Sequence, residues 1–94
     1  KVDSYEVVGE VAKMMKASSN LKISIEGHTD NVGDKTSNMK LSRNRAKSVL
    51  IALTDEGIDE SRLKSEGFGQ QKPLGDNSTE EGKAKNRRVE LRKI

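Results

Sequence analysis

Residues 37–57, SNMKLSRNRAKSVLIALTDEG, constrain the fold more than any other part of the chain. At about 100° per residue, Met39, Ser42, Ala46, Val49, Leu50 and Leu53 fall on one face, which predicts an amphipathic helix with a narrow buried stripe. Gly57 followed by Ile58 has the pattern of a Schellman-type stop, with glycine at C′ and an apolar residue just beyond. Before this helix, Leu21, Ile23 and Ile25 alternate with Lys22, Ser24 and Glu26, the signature of a half-buried strand. After it, residues 62–67, RLKSEG, read as a second strand. A helix-length segment between two strands predicts a crossover, and so helices layered on a sheet.

The remaining segments fit that plan. Residues 4–17, SYEVVGEVAKMMKA, place Val7, Val8, Val11, Met14 and Met15 on one helical face, with Asp3 or Ser4 as N-cap. SSN at 18–20 is a turn, and Gly27 to about Ser37 is a loop. Residues 68–86 read as a long loop holding one helical turn capped by Asn77 or Ser78. RVELRKI at 88–94 closes the chain as a strand with Val89 and Leu91 on one face. The order is α-β-α-β-loop-β, without internal repeats. The expected class is α+β, a two-layer sandwich with helices on one side of a small mixed sheet, in a single domain over residues 1–94.

Composition narrows the function. Of 94 residues, 31% are hydrophobic and 35% charged, so the core is thin and each buried aliphatic side chain matters; such burial stabilises by roughly 1.5–3 kcal/mol per side chain. The net charge of +3 sets 18 Lys and Arg against 15 Asp and Glu, leaving only a weak pull on acidic partners. Lys1 opens the chain with no Met and no signal-like apolar block, which reads as a processed product or a piece cut from something longer. There is no cysteine, hence no disulfide and no thiolate metal site.

The polar residues converge near the end of the first strand. There the sequence runs ISIEGHTDNVG, and Gly27-His28-Thr29-Asp30 makes either a turn or the mouth of a site. On the helical wheel Arg45 lies about 90° from the centre of the buried face, with Asn38 two turns earlier on the same flank. Asp30 and Arg45 thus form either a structural ion pair tying loop to helix, or two poles for a zwitterion. In the second case the carboxylate accepts an ammonium and the guanidinium forks onto a carboxylate.

Other chemistries have less behind them. His28 and Asp30 form an HxD, but His28 is the single histidine, so any further metal ligands must be carboxylates, and no metal or other cofactor is expected. A triad would need the same histidine, and no serine sits in a GxSxG elbow. No catalytic residue is assigned. The basic tail, with Lys83, Lys85, Arg87, Arg88, Arg92 and Lys93, straddles a strand that sends neighbours to opposite faces and carries no aromatic platform. A solvated edge strand is the preferred reading over nucleic-acid binding.

Four blocks in order, ISIEGHTDNVG, NMKLSRNRAKSV, GIDESRLKSEGFGQQKP and NRRVEL, resemble the OmpA-like C-terminal domain, the peptidoglycan-binding module shared by OmpA, Pal and MotB proteins. The resemblance covers roughly residues 5–92. It implies non-covalent binding of the peptidoglycan stem peptide through diaminopimelate, in a protein of the Gram-negative periplasm held between outer membrane and cell wall. Membrane contact would come only through a segment upstream. Asp30 of GHTD and Arg45 of LSRNRA match the family's key contacts. Thr29, Asn38 and Arg87 match further ones, with the register of the last strand deciding between Arg87 and Arg88.

Two departures stand out. Val32 occupies a position often polar in the family, leaving backbone groups of the loop to supply the missing hydrogen bond. Only Lys1-Val2-Asp3 precedes the first helix, where members usually have a strand, so the first strand is cut or lost, and homodimerisation is one way to cover the gap. The alternative function is a structural or oligomerisation module that does not bind the wall.

Overall fold

A computed structural model describes residues 4–94. The elements are α1 (Ser4–Ala17), β1 (Ile23–Gly27), α2 (Lys35–Asp55), a 3-10 turn (Glu60–Arg62), β2 (Leu63–Gly67), α3 (Glu80–Asn86) and β3 (Val89–Lys93). The sheet order is β2-β1-β3, with β1 parallel to β2 and antiparallel to β3. The expected two-layer α+β class with a mixed sheet is what forms. Residues 1–3, where the resemblance implies a first strand that is cut or lost, and the Asp3 cap lie outside the described residues.

Alternation in β1 sorts the two faces of the sheet. Ile23 and Ile25 are buried in a core with Val8, Val11, Ala12 and Met15 of α1, Ala46 and Leu53 of α2, and Ile58. Val89 and Leu91 of β3 pack against the same core, as their spacing predicts. Ser24 and Glu26 point the other way, and the register sets Glu26 directly opposite both Glu66 and Glu90. The outer face is therefore polar and charged.

Two expectations need correction. Met14 is 51% exposed, because it lies about 110° from the centre of the Val8, Val11, Ala12, Met15 stripe. The stripe is rotated towards Ala12, whose small side chain lets the helix sit close; the Val7 side chain lies outside the described residues. In the long 68–86 segment, the helix has seven residues instead of one turn, and Thr79 caps it by accepting the Gly82 N–H at 3.0 Å. Asp76 accepts from the Ser78 N–H instead, at 2.8 Å, so the turn chemistry sits one step earlier than the cap.

The ends of α2 follow local chemistry. Asp34 caps its start by accepting the Ser37 N–H at 2.9 Å, two residues earlier than the periodicity alone indicates. Its far end is the expected Schellman closure. Ile58 N–H donates to Leu53 O at 3.2 Å and Gly57 N–H to Thr54 O at 3.0 Å, with Gly57 at φ +97°, where a side chain would be strained.

Close approach explains how α2 reaches the strand mouth. A Cβ on Gly27 would stand 2.1 Å from the Ser42 carbonyl oxygen, so only glycine lets the helix lie on the end of β1. Ser42 is fully buried; its Oγ donates to Met39 O at 2.8 Å and accepts from Gly69 N–H at 2.9 Å. One hydroxyl on the buried stripe thus anchors the segment after β2 to the helix. Arg62 performs a similar service at the opposite end, donating to the carbonyls of Met15, Ser18 and Leu21 at 2.8, 2.6 and 3.1 Å. Met15 O is one of the carbonyls that the end of α1 leaves without helical partners, and Ser18 and Leu21 belong to the turn after it.

Candidate functional site

Beyond Gly27 the chain leaves β1 but stays between its neighbours. His28 N–H donates to Arg88 O and Thr29 N–H to Gly69 O, both at 2.8 Å. The loop is therefore threaded between the segments after β2 and before β3, which buries His28, Thr29 and Asp30 even though all three are polar.

Asp30 sits at the centre of the mouth. Its Oδ1 accepts the Val32 N–H at 3.1 Å, and its Oδ2 accepts from Arg87 Nη1 at 2.7 Å. The ion pair that sequence reasoning considered for Asp30 and Arg45 thus forms with Arg87. Arg87 stands at the C-cap of α3, before β3 begins, so strand register does not decide its direction. Arg88 points elsewhere: its guanidinium pairs with Glu90 and donates to Lys72 O at 3.1 Å.

Asn38 organises the loop. Its Nδ2 donates to Val32 O at 3.0 Å and to Gln70 Oε1 at 3.2 Å, with a longer bond of 3.4 Å to Asp30 O. Both backbone polar groups of Val32 are consequently engaged within the loop, the N–H by Asp30 and the carbonyl by Asn38. The Val32 side chain is 58% exposed and presents an isopropyl group.

These residues line an open cavity of about 490 Å³. All five residues singled out from the sequence line it: Thr29, Asp30, Asn38, Arg45 and Arg87. Val32, marked from the sequence as an apolar departure, lines it too, and sequence reasoning missed the rest of the wall. Val32 and Leu41 give it an apolar side, and Glu80 and Lys83, 3.6 Å apart, form its rim on α3. Recognising α3 as a helix would have found Lys83, since it lies four residues before Arg87 and so on the same face.

The electrostatics are uneven across the cavity. No carboxylate among the described residues lies within 4.0 Å of the Arg45 guanidinium. Burial pushes the Asp30 carboxyl up, but the Arg87 hydrogen bond, the Val32 N–H and the Arg87 and Lys83 charges together outweigh it. The pKa ends below the ordinary 3.8. A depressed carboxylate pKa contributes stability that is present above the unfolded value and lost as pH falls through the folded one. The Asp30–Arg87 pair should therefore contribute fully above the ordinary carboxylate range and be lost progressively as pH falls below it, through the depressed folded value. Urea midpoints measured from pH 7 to pH 2 should show a steeper acid loss for the wild type than for Asp30→Asn; parallel curves would refute the linkage.

His28 takes no part in this cavity. It is 2% exposed and stacks on Phe68, with ring centroids 5.4 Å apart at 18°. Burial, and after it Arg88, lowers its pKa from 6.5 against the pull of Glu90 and Glu26. The HxD motif therefore splits, Asp30 going to the cavity and His28 to the outer face of the sheet. The basic tail is likewise divided, between α3 with its C-cap and the strand that follows: Lys83 faces Glu80, Arg87 meets Asp30, Arg88 meets Glu90, and Arg92 lies 3.8 Å from Glu26.

The family model described as OmpA family matches residues 2–87. The chain belongs to the OmpA family. The probable lipoprotein YiaD of Escherichia coli is 44% identical over 86% of this chain, and the peptidoglycan-binding protein ArfA of Mycobacterium bovis 40% identical over 93%. The chain spans only 37% and 27% of the lengths of those two proteins. Among solved structures, the peptidoglycan-associated lipoprotein of Burkholderia pseudomallei superposes with a TM-score of 0.93 at 26% identity, covering 100% of this chain and 80% of that one. The C-terminal domain of Helicobacter pylori MotB superposes with a TM-score of 0.88 at 26% identity, covering 96% and 70%. The OmpA-family fold accounts for the helix-on-sheet layering described above. Its relatives by name are porins, lipoproteins, MotB and a peptidoglycan-binding protein.

Proposed function

We propose that this OmpA-family domain, residues 1–94, binds peptidoglycan non-covalently through the diaminopimelate of the stem peptide. It thereby anchors a longer envelope protein to the wall, without catalysis, in the periplasm beneath an outer membrane. The observation that carries the proposal is the pairing of unlike poles in one cavity. Asp30 is a buried carboxylate and Arg45 a guanidinium with no carboxylate partner among the described residues, and both line the same space.

The free end of diaminopimelate carries an ammonium and a carboxylate, so it matches that polarity. A carboxylate has about four lone-pair sites, and Asp30 has spent two, on Val32 N–H and on Arg87. It retains capacity for an ammonium. Arg45 supplies the planar fork for the ligand carboxylate, with Arg87 near enough to Asp30 to hold its orientation. Thr29 and Asn38 act through the loop: the Thr29 hydroxyl donates to Asp30 O at 2.8 Å, and Asn38 fixes Val32. The cavity volume lies within the roughly 300–1,000 Å³ usual for small-ligand sites, and the Val32 and Leu41 side suits the methylene chain between the poles.

Calorimetric titration with a diaminopimelate-containing stem peptide, beside the same peptide with the side-chain carboxylate amidated, tests the reading. Heat from the first and none from the second is the expected result. Equal heats would remove Arg45 from the mechanism, and no heat from either would refute wall binding.

A further inference from the structure

On the outer face of the sheet, away from the cavity, three donors meet. One donor atom each from Glu26, His28 and Glu90 lies within 4.8 Å of the other two. The register explains why: Glu26 of β1 faces Glu90 of β3 directly, and His28 follows on the same side of the chain at the end of β1. Glutamates set side by side on neighbouring strands repel one another and weaken the pairing. The arrangement is therefore one that a cation would relieve.

A second observation comes from the histidine itself. The His28 ring is 2% exposed, yet neither Nδ1 nor Nε2 has a hydrogen-bond partner, and they are the only such buried side-chain atoms among the described residues. Buried polar atoms without partners are rare in folded proteins and call for an explanation. The Nε2 points at Glu90, with Oε2 at 4.0 Å, too long for a hydrogen bond and suited to an atom lying between them. Phe68 covers one face of the ring, and Lys72 Nζ lies 3.9 Å over the Phe68 centroid, so the imidazole is held in place.

We propose that Glu26, His28 and Glu90 form a site for a divalent transition-metal ion of the zinc type, bridging β1 and β3. One imidazole and two carboxylates are a donor set that zinc accepts, at roughly 2.0–2.2 Å per ligand. Such bonds place donors roughly 3.4 Å apart in a tetrahedron, so the carboxylates need to close in by less than their side-chain reach. Imidazole selects against magnesium and calcium, which prefer all-oxygen sites. The Glu90 side chain is 39% exposed, which gives the ion an entry path and leaves room for water as a further ligand. Two arginines compete for the same oxygens: Arg88 on Glu90 and Arg92 on Glu26. The site is therefore one in which metal displaces guanidinium.

The test uses the tag-free domain without any wall ligand, so its outcome is independent of the proposed function. Zinc is titrated against a chromophoric chelator, and the ring resonances of the single histidine are followed by NMR. One equivalent should bind and move those resonances, while magnesium should not. Glu90→Gln, at a half-exposed position that tolerates change, should weaken zinc binding by about tenfold or more. Arg88→Ala should tighten it several-fold by removing the competing cation, which a purely structural cluster would not do. Unmoved imidazole resonances at saturating zinc, or wild-type affinity in Glu90→Gln, would overturn the proposal.

Discussion

Arg45→Ala should abolish measurable binding of the proposed diaminopimelate stem peptide and leave the domain folded. The guanidinium is half-buried on the flank of α2, lines the cavity and has no carboxylate partner among the described residues. Its removal therefore breaks no ion pair of the free protein. In the complex it leaves a ligand carboxylate unpaired in a partly desolvated space, on the order of 2–5 kcal/mol. That corresponds to roughly 30-fold to several thousand-fold in affinity. Stability should change by only about 0.5 kcal/mol, as for substitutions away from packing and paired groups. Calorimetry and thermal melts on the same sample separate the two quantities. Wild-type affinity in the variant would sink the two-pole mechanism, and a collapsed melt would mean that Arg45 is structural after all.

The second large effect is expected at a residue that carries no ligand contact. Asn86 is fully buried at the end of α3. Its Oδ1 accepts from the N–H groups of Leu74 and Gly75 at 2.6 and 2.8 Å. Its Nδ2 donates to Gly75 O at 3.1 Å and Asn77 Oδ1 at 2.7 Å. One side chain therefore satisfies most of the turn that precedes α3, and it sits next to Arg87. Asn86→Ala orphans several of these groups at once; at about 1–3 kcal/mol for each unsatisfied group, the total loss should be on the order of 3–5 kcal/mol. Domains of this size hold only about 5–15 kcal/mol in all. The melting temperature should fall by roughly 12–30 °C, and Asn86→Asp, which keeps the acceptor, should lose less. A melt within a few degrees of wild type would show that water replaces the bonds without penalty.

Periodicity made the framework legible because the core is thin and its few aliphatics fall on single faces. Ser42, Ala46 and Leu53 all lie at full burial where the wheel puts them. It failed at Met14 because a five-residue stripe with two adjacent methionines has two centres, and the choice depends on what α1 packs against. Arg45 was legible as a rim residue for the same geometric reason. Arg87 was not, because its direction is set by α3, a helix of seven residues rich in charge and containing Gly82. That glycine is required by contact and not by propensity: a Cβ there would stand 1.9 Å from Asp76 O. Local preference argues against a helix at this point, and tertiary packing overrides it. The outer-face cluster was invisible for a different reason. Glu90 is 62 positions after His28, and only the antiparallel register brings them together.

The bond between Asp30 and Arg87 joins residues 57 positions apart, and it carries a consequence for the order in which the protein becomes competent. Asp30, Asn38 and Arg45 emerge early in synthesis, yet the wall of the cavity opposite them comes from Glu80 and Lys83 of α3 and its C-cap Arg87. A nascent or truncated chain ending before residue 80 would therefore possess most of the proposed ligand-contacting side chains without the opposite wall of the cavity. Affinity for the wall would then switch on only when the last strand has paired with β1, so that attachment itself certifies a finished domain.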